Sequence, residues 1–530
     1  MSATTATMTG PAPFGARAGA SLTDWIAVSA AMIGAFMAIL NIQITNASLL
    51  DIEGGIGTGV DNGAWVSTAY LIGEIIVIPL TDYLSRVFGF RLFLLVNTAL
   101  FLTFSAACAF AGNLAQMIVL RGFQGFCGGV MIPMAFTFAL TRLPKSQQPI
   151  GIAIFAITAT FAPAIGPTIG GYLTETYGWQ TIFFVNMVPG LVMLTVLFFT
   201  LEKAPLRLGL LREGDWLGIA CMAIGLACFQ TVLEEGNLHD WFGSTLIVRL
   251  SIAAAIFLTA FVVIELRVPN PAVNLRLLGR RNFGFGTLAN VLVGFALYGS
   301  VYVLPQYLAT VQGYNAEQIG MVLAWVGLPQ LLIIPFVPKL MARVDARVVV
   351  VVGLSIFAAS CFMNIFMSLD YSGPQLMWSN IVRALGQAVV LTPLTAIAMV
   401  GVAREEAAAA SGVFNMLRNL GGAIGTAALA TVITKREQFH SNIIGQSVPE
   451  YGVVARERIG ELQHYFEAHG VSDAHVAHDE AIVAIGHEVA RQALVMAFSD
   501  TFYVLGAIML VAAAAVLLTR RGMASDAPAH

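Results

Sequence analysis

The chain is a succession of apolar runs of about 20 residues, separated by short polar stretches. Each run is long enough to cross the roughly 30 Å hydrocarbon core of a bilayer as a helix. A backbone inside hydrocarbon has no water to bond, so only helices and closed barrels span it, and runs of this length select helices. Their positions predict fourteen, at about 25–47, 65–84, 91–111, 115–140, 150–173, 181–201, 215–234, 245–265, 283–309, 317–338, 347–367, 375–400, 407–433 and 494–518. Charge is scarce: 11% of residues are charged, against about 25% in a soluble chain. With a net charge of −3, nothing points to nucleic acid, and the first expected partner is the lipid bilayer. Residues 1–23 lack the basic start and short apolar core of a cleaved signal peptide and read as a cytoplasmic tail. Cys108, Cys127, Cys221, Cys228 and Cys361 lie inside apolar runs with no CxxC pair, so they read as small core residues rather than metal ligands or disulfides.

Basic residues test the count. With the N-terminus inside, 18 of the 27 fall in cytoplasmic segments, among them Arg86, Arg91, Arg142, Lys203, Arg280, Arg347 and Arg520. The short outer loops "DIEGGIGTGVDNG" and "EEGNLHDWFGS" hold none. This is the positive-inside pattern, and it places both ends in the cytoplasm. An internal repeat supports the same layout. "GEIIVIPLTDYLSRVFGFR" (73–91) aligns with "PQLLIIPFVPKLMARVDAR" (329–347), so that Pro79 meets Pro335 and Arg91 meets Arg347; Arg121 and Arg383 correspond approximately in helices 4 and 12. The expected organisation is a tail at 1–24, a six-helix bundle at 25–201, inserted helices 7 and 8 with their flanks at 202–282, a second six-helix bundle at 283–518 containing an external segment at 434–493, and a tail at 519–530. Two parallel halves around a midplane cavity form the architecture of alternating-access carriers.

Within this frame the buried charges stand out. Glu74 lies about 14 Å into helix 2, where an acid costs roughly 3 kcal/mol to insert. The equivalent position in the second half is Gln330, so packing alone does not require the acid. Arg121 lies about 9 Å into helix 4 and is expected within reach of Glu74. Burial favours the neutral carboxyl and a nearby cation the charged one, so Glu74 is the candidate carrier of a coupling proton and Arg121 its modulator. The alternative is a static ion pair fixing helix packing. Arg121, Gln124, Gly125, Gly128 and Gly129 share a helix face. In helix 5, "APAIGPTIGG" places Pro163 and Pro167, and Gly166 and Gly170, four apart, predicting a bend and a close seam between the halves. Asn41 and Thr45 share a face of helix 1, and Asn41 is a candidate substrate contact. The other candidates for a cavity lining are Phe36, Tyr70, Gln124, Met131, Tyr298, Trp325, Gln330, Gln387 and Met416. Asp500 and Arg383 lie at similar depths and are expected to pair, while Arg418 has no evident partner.

These motifs resemble those of the major facilitator superfamily, specifically the fourteen-helix drug:proton antiporters of the EmrB/QacA type. "LRGFQGFCGG" is similar to the helix 4 motif, "APAIGPTIGG" to the helix 5 antiporter motif with Ala162 in place of its first glycine, and "GWQTIFFVNMVPG" and "SGVFNMLRNLGGAIGTA" to segments of helices 6 and 13. The resemblance implies an all-α polytopic fold of two six-helix bundles plus two inserted helices, and export of hydrophobic or amphiphilic compounds driven by a proton gradient without a cofactor. It implies a proton-coupling part for Arg121 and an export-associated part for Gly166, Pro167, Gly170 and Gly171. It also implies a bacterial inner membrane, with a periplasmic adaptor and an outer-membrane channel as partners. The chain departs from the family in two places. Asn41 stands where helix 1 usually carries an aspartate, which leaves Glu74 as the leading acid and favours neutral or anionic amphiphiles. The loop after helix 2 reads "DYLSRVFGFR", so Asp82, Arg86, Gly89 and Arg91 are expected to latch the cytoplasmic helix ends with altered charge pairing.

Other readings are weaker. His464, His469, His475 and His478 match no tight zinc spacing, and the external segment reads as a solvated, partly helical hairpin. The rival function is a proton-coupled uptake symporter for a metabolite. An enzyme would need clustered intramembrane catalytic groups, and a channel would need rings of charge; the sequence presents neither.

Overall fold

The computed structural model of the chain describes residues 20–58, 63–144, 147–269, 271–403, 406–448, 452–471 and 473–520. Most of both predicted tails, with Lys145 and Arg404, lies outside these residues. Among the described residues every regular element is a helix. Fourteen principal helices follow the predicted order: α1 Leu22–Ala47, α2 Trp65–Phe88, α3 Phe90–Cys108, α4 Leu114–Thr141, α5 Gln148–Tyr177, α6 Thr181–Thr200, α7 Trp216–Glu235, α8 Thr245–Arg267, α9 Arg281–Thr310, α10 Gln318–Met341, α11 Ala346–Phe362, α12 Gly373–Ala398, α13 Ala407–Ser447 and α14 Ala474–Leu517. Eleven of them are individually long and apolar enough to cross a membrane, and α5, bent by 43° between Pro163 and Ile165, makes a twelfth. The shorter α11 and the more polar α2 complete a set that fits the count of fourteen.

Local chemistry sets the ends. Ser21 and Asp24 form a reciprocal capping box that starts α1, and Asn113, Asp215, Asp345 and Asp473 cap α4, α7, α11 and α14 with their side chains. Each cap satisfies amide groups that a helix start leaves without partners. Inside the bundle, small residues set the spacing. A side chain on Gly125 or Gly129 would strike the backbone of Tyr70 or Glu74, so α2 and α4 lie backbone against backbone. All five cysteines are free and four are buried.

The repeat detected in the sequence has a structural counterpart. Arg91, at the start of α3, donates to the carbonyl of Phe198 at the end of α6 (2.7 Å). Arg347, at the start of α11, donates to the carbonyl of Thr519 just past α14 (3.1 Å). Each half thus closes with an arginine tying its third helix to the end of its sixth.

Two expectations change. Gly166 and Gly170 pack against Gln43 and Ile44 of α1, within the first half, rather than on a seam between halves. α5 does meet the second half along α10, and there Thr168 abuts Gly320. Segment 434–493 is also more ordered than a partly helical hairpin. α13 and α14 run on through it as 41- and 44-residue helices, about 60 Å and 65 Å long and roughly twice the bilayer core. A further helix, Val453–Ala468, packs on α14 between them.

Candidate transport site

Arg121 is fully buried. Its Nε donates to the carbonyl of Val66 (3.1 Å), and its Nη1 donates to Gln124 Oε1 (2.9 Å) and to Asn41 Oδ1. The guanidinium lies over the Tyr70 ring, 4.4 Å from its centroid. Tyr70 is fixed in turn by donating to the carbonyl of Ala38 (3.0 Å), and Cys108 points its thiol at Gln124 (3.7 Å). A backbone carbonyl, two side-chain amide oxygens and the π-electrons of Tyr70 therefore carry the solvation of this cation. No carboxylate forms an ion pair with Arg121 among the described residues, so the static Glu74–Arg121 pair, the alternative reading of the sequence, is not formed. Asn41, Tyr70 and Gln124, three of the predicted substrate contacts, belong to this arginine nest instead.

Glu74, midway along α2, is 5% exposed. It lines a cavity of about 340 Å³ together with residues of α1, α7, α9 and α13. Its Oε1 accepts weakly from Asn419 of α13 (3.5 Å), and its Oε2 is buried without a partner. The cavity runs from Glu74 to Asn46, Asn237 and Ala430 near the predicted outer ends. Its polar wall consists of the amides Gln43, Asn46, Gln230, Asn237 and Asn419, the tyrosines Tyr298 and Tyr302, and a second acid, Glu234. Ile42, Leu71, Ile75, Ile78 and Leu233 supply the apolar wall. Glu234, whose carboxylate accepts from Gln230 (3.0 Å), stands at the predicted end of helix 7 but was not singled out from the sequence. In the structure α7 carries it into the cavity wall. Asn419 was equally missed, although a polar residue beside Arg418 in an apolar run is a visible signal.

The inserted α7 also closes the outer end. Thr68 of α2 donates to Glu235 (3.3 Å). Beyond α7, Asn237 donates to Thr434 (3.2 Å) and Trp241 to Thr431 (3.0 Å), both on α13. Lys435 pairs with Asp240 (3.5 Å). This stretch therefore straps α2 to α13 across the two halves.

A second, smaller cavity of about 40 Å³ lies between α5, α9, α10, α12 and α13, lined by Pro163, Tyr298, Arg383, Gln387 and Arg418 among others. Of the predicted contacts, Tyr298 thus borders both cavities and Gln387 one. Gln330, the counterpart of Glu74, donates to Gln387 (2.9 Å) just behind the wall. Met131 packs in the core against α1, and Trp325 is 44% exposed on the face of α10 turned away from the bundle. Neither lines either of these two cavities, nor does Met416, which is buried in the core of the second half. Phe36 stacks on Phe161 of α5 (6.5 Å).

The predicted Arg383–Asp500 pair does not form. Asp500 accepts from Arg436 (2.5 Å) and lies 2.7 Å from His440 Nε2, both on the extension of α13, which reaches it only because that helix continues. On the inner side Arg86 pairs with Asp82 (3.0 Å) one turn away, Gly89 takes the positive φ of 75° that links α2 to α3, and Arg91 tethers α6 as described. Asp82, Tyr83 and Arg86 share an inner cleft with Glu406 of the second half. Arg280 clamps Glu406 in a bidentate pair (2.7 and 3.0 Å), and its two hydrogen bonds hold that carboxyl below the usual carboxylate range.

The description "Major Facilitator Superfamily" matches residues 31–426 of the chain. The chain is 31% identical over 500 residues to "Colistin resistance protein EmrB" of Acinetobacter baumannii, covering 94% of this chain and 97% of that protein. It is 30% identical over 482 residues to "Multidrug export protein EmrB" of Escherichia coli K12, covering 90% and 92%. It is 28% identical over 497 residues to "Fatty acid resistance protein FarB" of Neisseria gonorrhoeae, covering 93% and 95%. Among solved structures it resembles the human organic anion transporter MFSD10 (TETRAN), with a TM-score of 0.56 at 15% identity over 92% of this chain and 99% of that one. The proton:xylose symporter XylE matches with the same TM-score at 13% identity, over 93% and 94%.

Proposed function

The chain belongs to the major facilitator superfamily, and from that premise we propose that it is a proton-coupled multidrug exporter of hydrophobic or amphiphilic compounds, working by alternating access. It is a multi-pass membrane transporter rather than an enzyme. The multidrug export proteins it matches over nearly their whole length support the direction, and the uptake alternative has no comparable support. The observation that carries proton coupling is Glu74: a carboxyl 5% exposed, with one oxygen unpartnered, on the wall of a cavity between the halves. Such a group is stable when neutral and becomes an acceptable anion when water or a partner reaches it. Rocking of the halves changes which side supplies that water, so Glu74 takes a proton on one side and gives it up on the other. Arg121 does not touch the acid. It holds α4, and through the glycine contacts α2, in register, and it adds a fixed positive charge to the first half.

The energy source is the proton gradient, with no cofactor. The membrane is the bacterial inner membrane; the distribution of basic residues among the loops supports both ends being cytoplasmic. The long outer extensions of α13 and α14, with Val453–Ala468 packed on them, offer a periplasmic adaptor a docking arm, leading to an outer-membrane channel; deleting the arm is expected to abolish adaptor pull-down. The functional test is a susceptibility panel in deletion and overexpression strains, with and without a collapsed pH gradient. Protection that vanishes with the gradient supports the proposal. Protection independent of the gradient, or gradient-driven accumulation in right-side-out vesicles, contradicts it.

A further inference from the structure

The two interior cavities differ in charge. The larger holds Glu74 and Glu234 and no basic residue, whereas the smaller holds Arg383 and Arg418 and no acidic one. A buried carboxyl relieves its charge by taking a proton. An arginine has no such escape, because its guanidinium stays charged in proteins. Arg383 and Arg418 are each 5% exposed, and neither forms an ion pair among the described residues.

Comparison with the first half shows how incomplete their surroundings are. Arg121, the approximate counterpart of Arg383, has three oxygen acceptors and a tyrosine face at 4.4 Å; its Nη2 and Gln124 Nε2 are buried without partners as well, but it lines neither of the two cavities. Among the described residues Arg383 reaches only the carbonyl of Ser300, at 3.5 Å, and its Nε is buried without a partner. Arg418 has an aromatic neighbour, Phe155, at 5.7 Å. Gln387, on the same wall, also has a buried donor, Nε2, without an acceptor. Two cations and an amide donor thus converge on a space of about 40 Å³, where a single water needs about 10–15 Å³.

We propose that the cavity between Arg383 and Arg418 is an anion site, which takes the carboxylate head of an organic acid; Leu297, Val301, Leu323, Val326 and Leu391 form the apolar wall beside it. The anion supplies the acceptors that Arg383 Nε and Gln387 Nε2 lack, and its single negative charge offsets one of the two positive charges that face the cavity. The site adjoins the proton-carrying group. Tyr298 walls both cavities and donates to Asn419 (3.3 Å), which in turn reaches Glu74 (3.5 Å). That an acid bound here is cargo rests on the export reading; that it binds does not.

The test is equilibrium binding to the purified full-length protein in nanodiscs at neutral pH, corrected against empty nanodiscs. The probes are decanoate, decanamide and decylammonium, which share a chain and differ in head-group charge. Decanoate is expected to bind at least about tenfold more tightly than decanamide. Arg383→Gln and Arg418→Gln are each expected to weaken decanoate about thirtyfold or more and to remove the preference over the amide. Arg383→Lys and Arg418→Lys keep the charge without the forked donors and should retain the preference at reduced affinity. Absence of saturable decanoate binding, equal binding of decanoate and decanamide, or unchanged affinity in both glutamine variants would overturn the proposal. Tighter binding of decylammonium would overturn it and move charge recognition to the cavity of Glu74 and Glu234. If the glutamine variants do not fold, the wild-type ranking and the lysine variants decide. Loss of gradient-driven export without loss of decanoate binding would fault the export reading alone.

Discussion

Arg121 is the residue whose surroundings say most about its part. Its oxygen partners come from α1, α2 and its own helix, so it joins three helices at a depth where no water competes. Hydrogen bonds from a charged group contribute about 1.5–3 kcal/mol each. Arg121→Ala is therefore expected to lower unfolding stability in detergent by roughly 3 kcal/mol, read as a lower melting temperature as well as lower transport. Sequence alone marked Arg121 and Glu74 as buried charges in apolar runs, because a charge there is visible against its neighbours. It could not show that Asn41 and Gln124 face the arginine rather than a substrate. An amide looks the same at either task, and only the packing of α1 against α4 tells them apart. Glu234 escaped notice for a different reason: it sits one residue from the end of α7, where a carboxyl at a helix end reads as the start of a polar loop rather than as part of a cavity wall.

At the scale of elements, the inserted pair carries more than its length suggests. α8 leaves most of its surface to lipid, but α7 walls the larger cavity and straps α2 to α13. The positions of the helices were readable from hydropathy and basic loops. The continuation of α13 and α14 beyond the membrane was not, because polar helix and polar loop differ little in composition. That continuation is what brings Arg436 and His440 to Asp500. The inner clamp between Arg280, at the start of α9, and Glu406, at the start of α13, allows a pH test. Its hydrogen bonds lower the Glu406 pKa, so the stabilisation is fully present above the unfolded carboxylate value of about 4.3 and is lost as pH falls through the lower folded value. The melting-temperature difference between the wild type and Glu406→Gln is expected to stay constant from neutral pH to about 5 and to close below about 4. A difference that widens in acid would contradict the assignment.

For the whole molecule, the account requires the halves to move past each other while the outer strap opens and closes. Asn237 and Thr434 are joined by a 3.2 Å hydrogen bond across that strap. In a background with the five free cysteines replaced, Asn237→Cys with Thr434→Cys is expected to block export on oxidation and to recover on reduction; full activity of the oxidised protein would show that the strap does not move. The central claim is narrower: Glu74 carries the proton. The most direct measurement places wild type and Glu74→Gln in inside-out vesicles and follows an exported compound under an imposed pH gradient, with exchange of labelled for unlabelled compound measured in parallel. The account predicts that Glu74→Gln loses gradient-driven accumulation while exchange persists. Undiminished proton-driven accumulation by Glu74→Gln would contradict it.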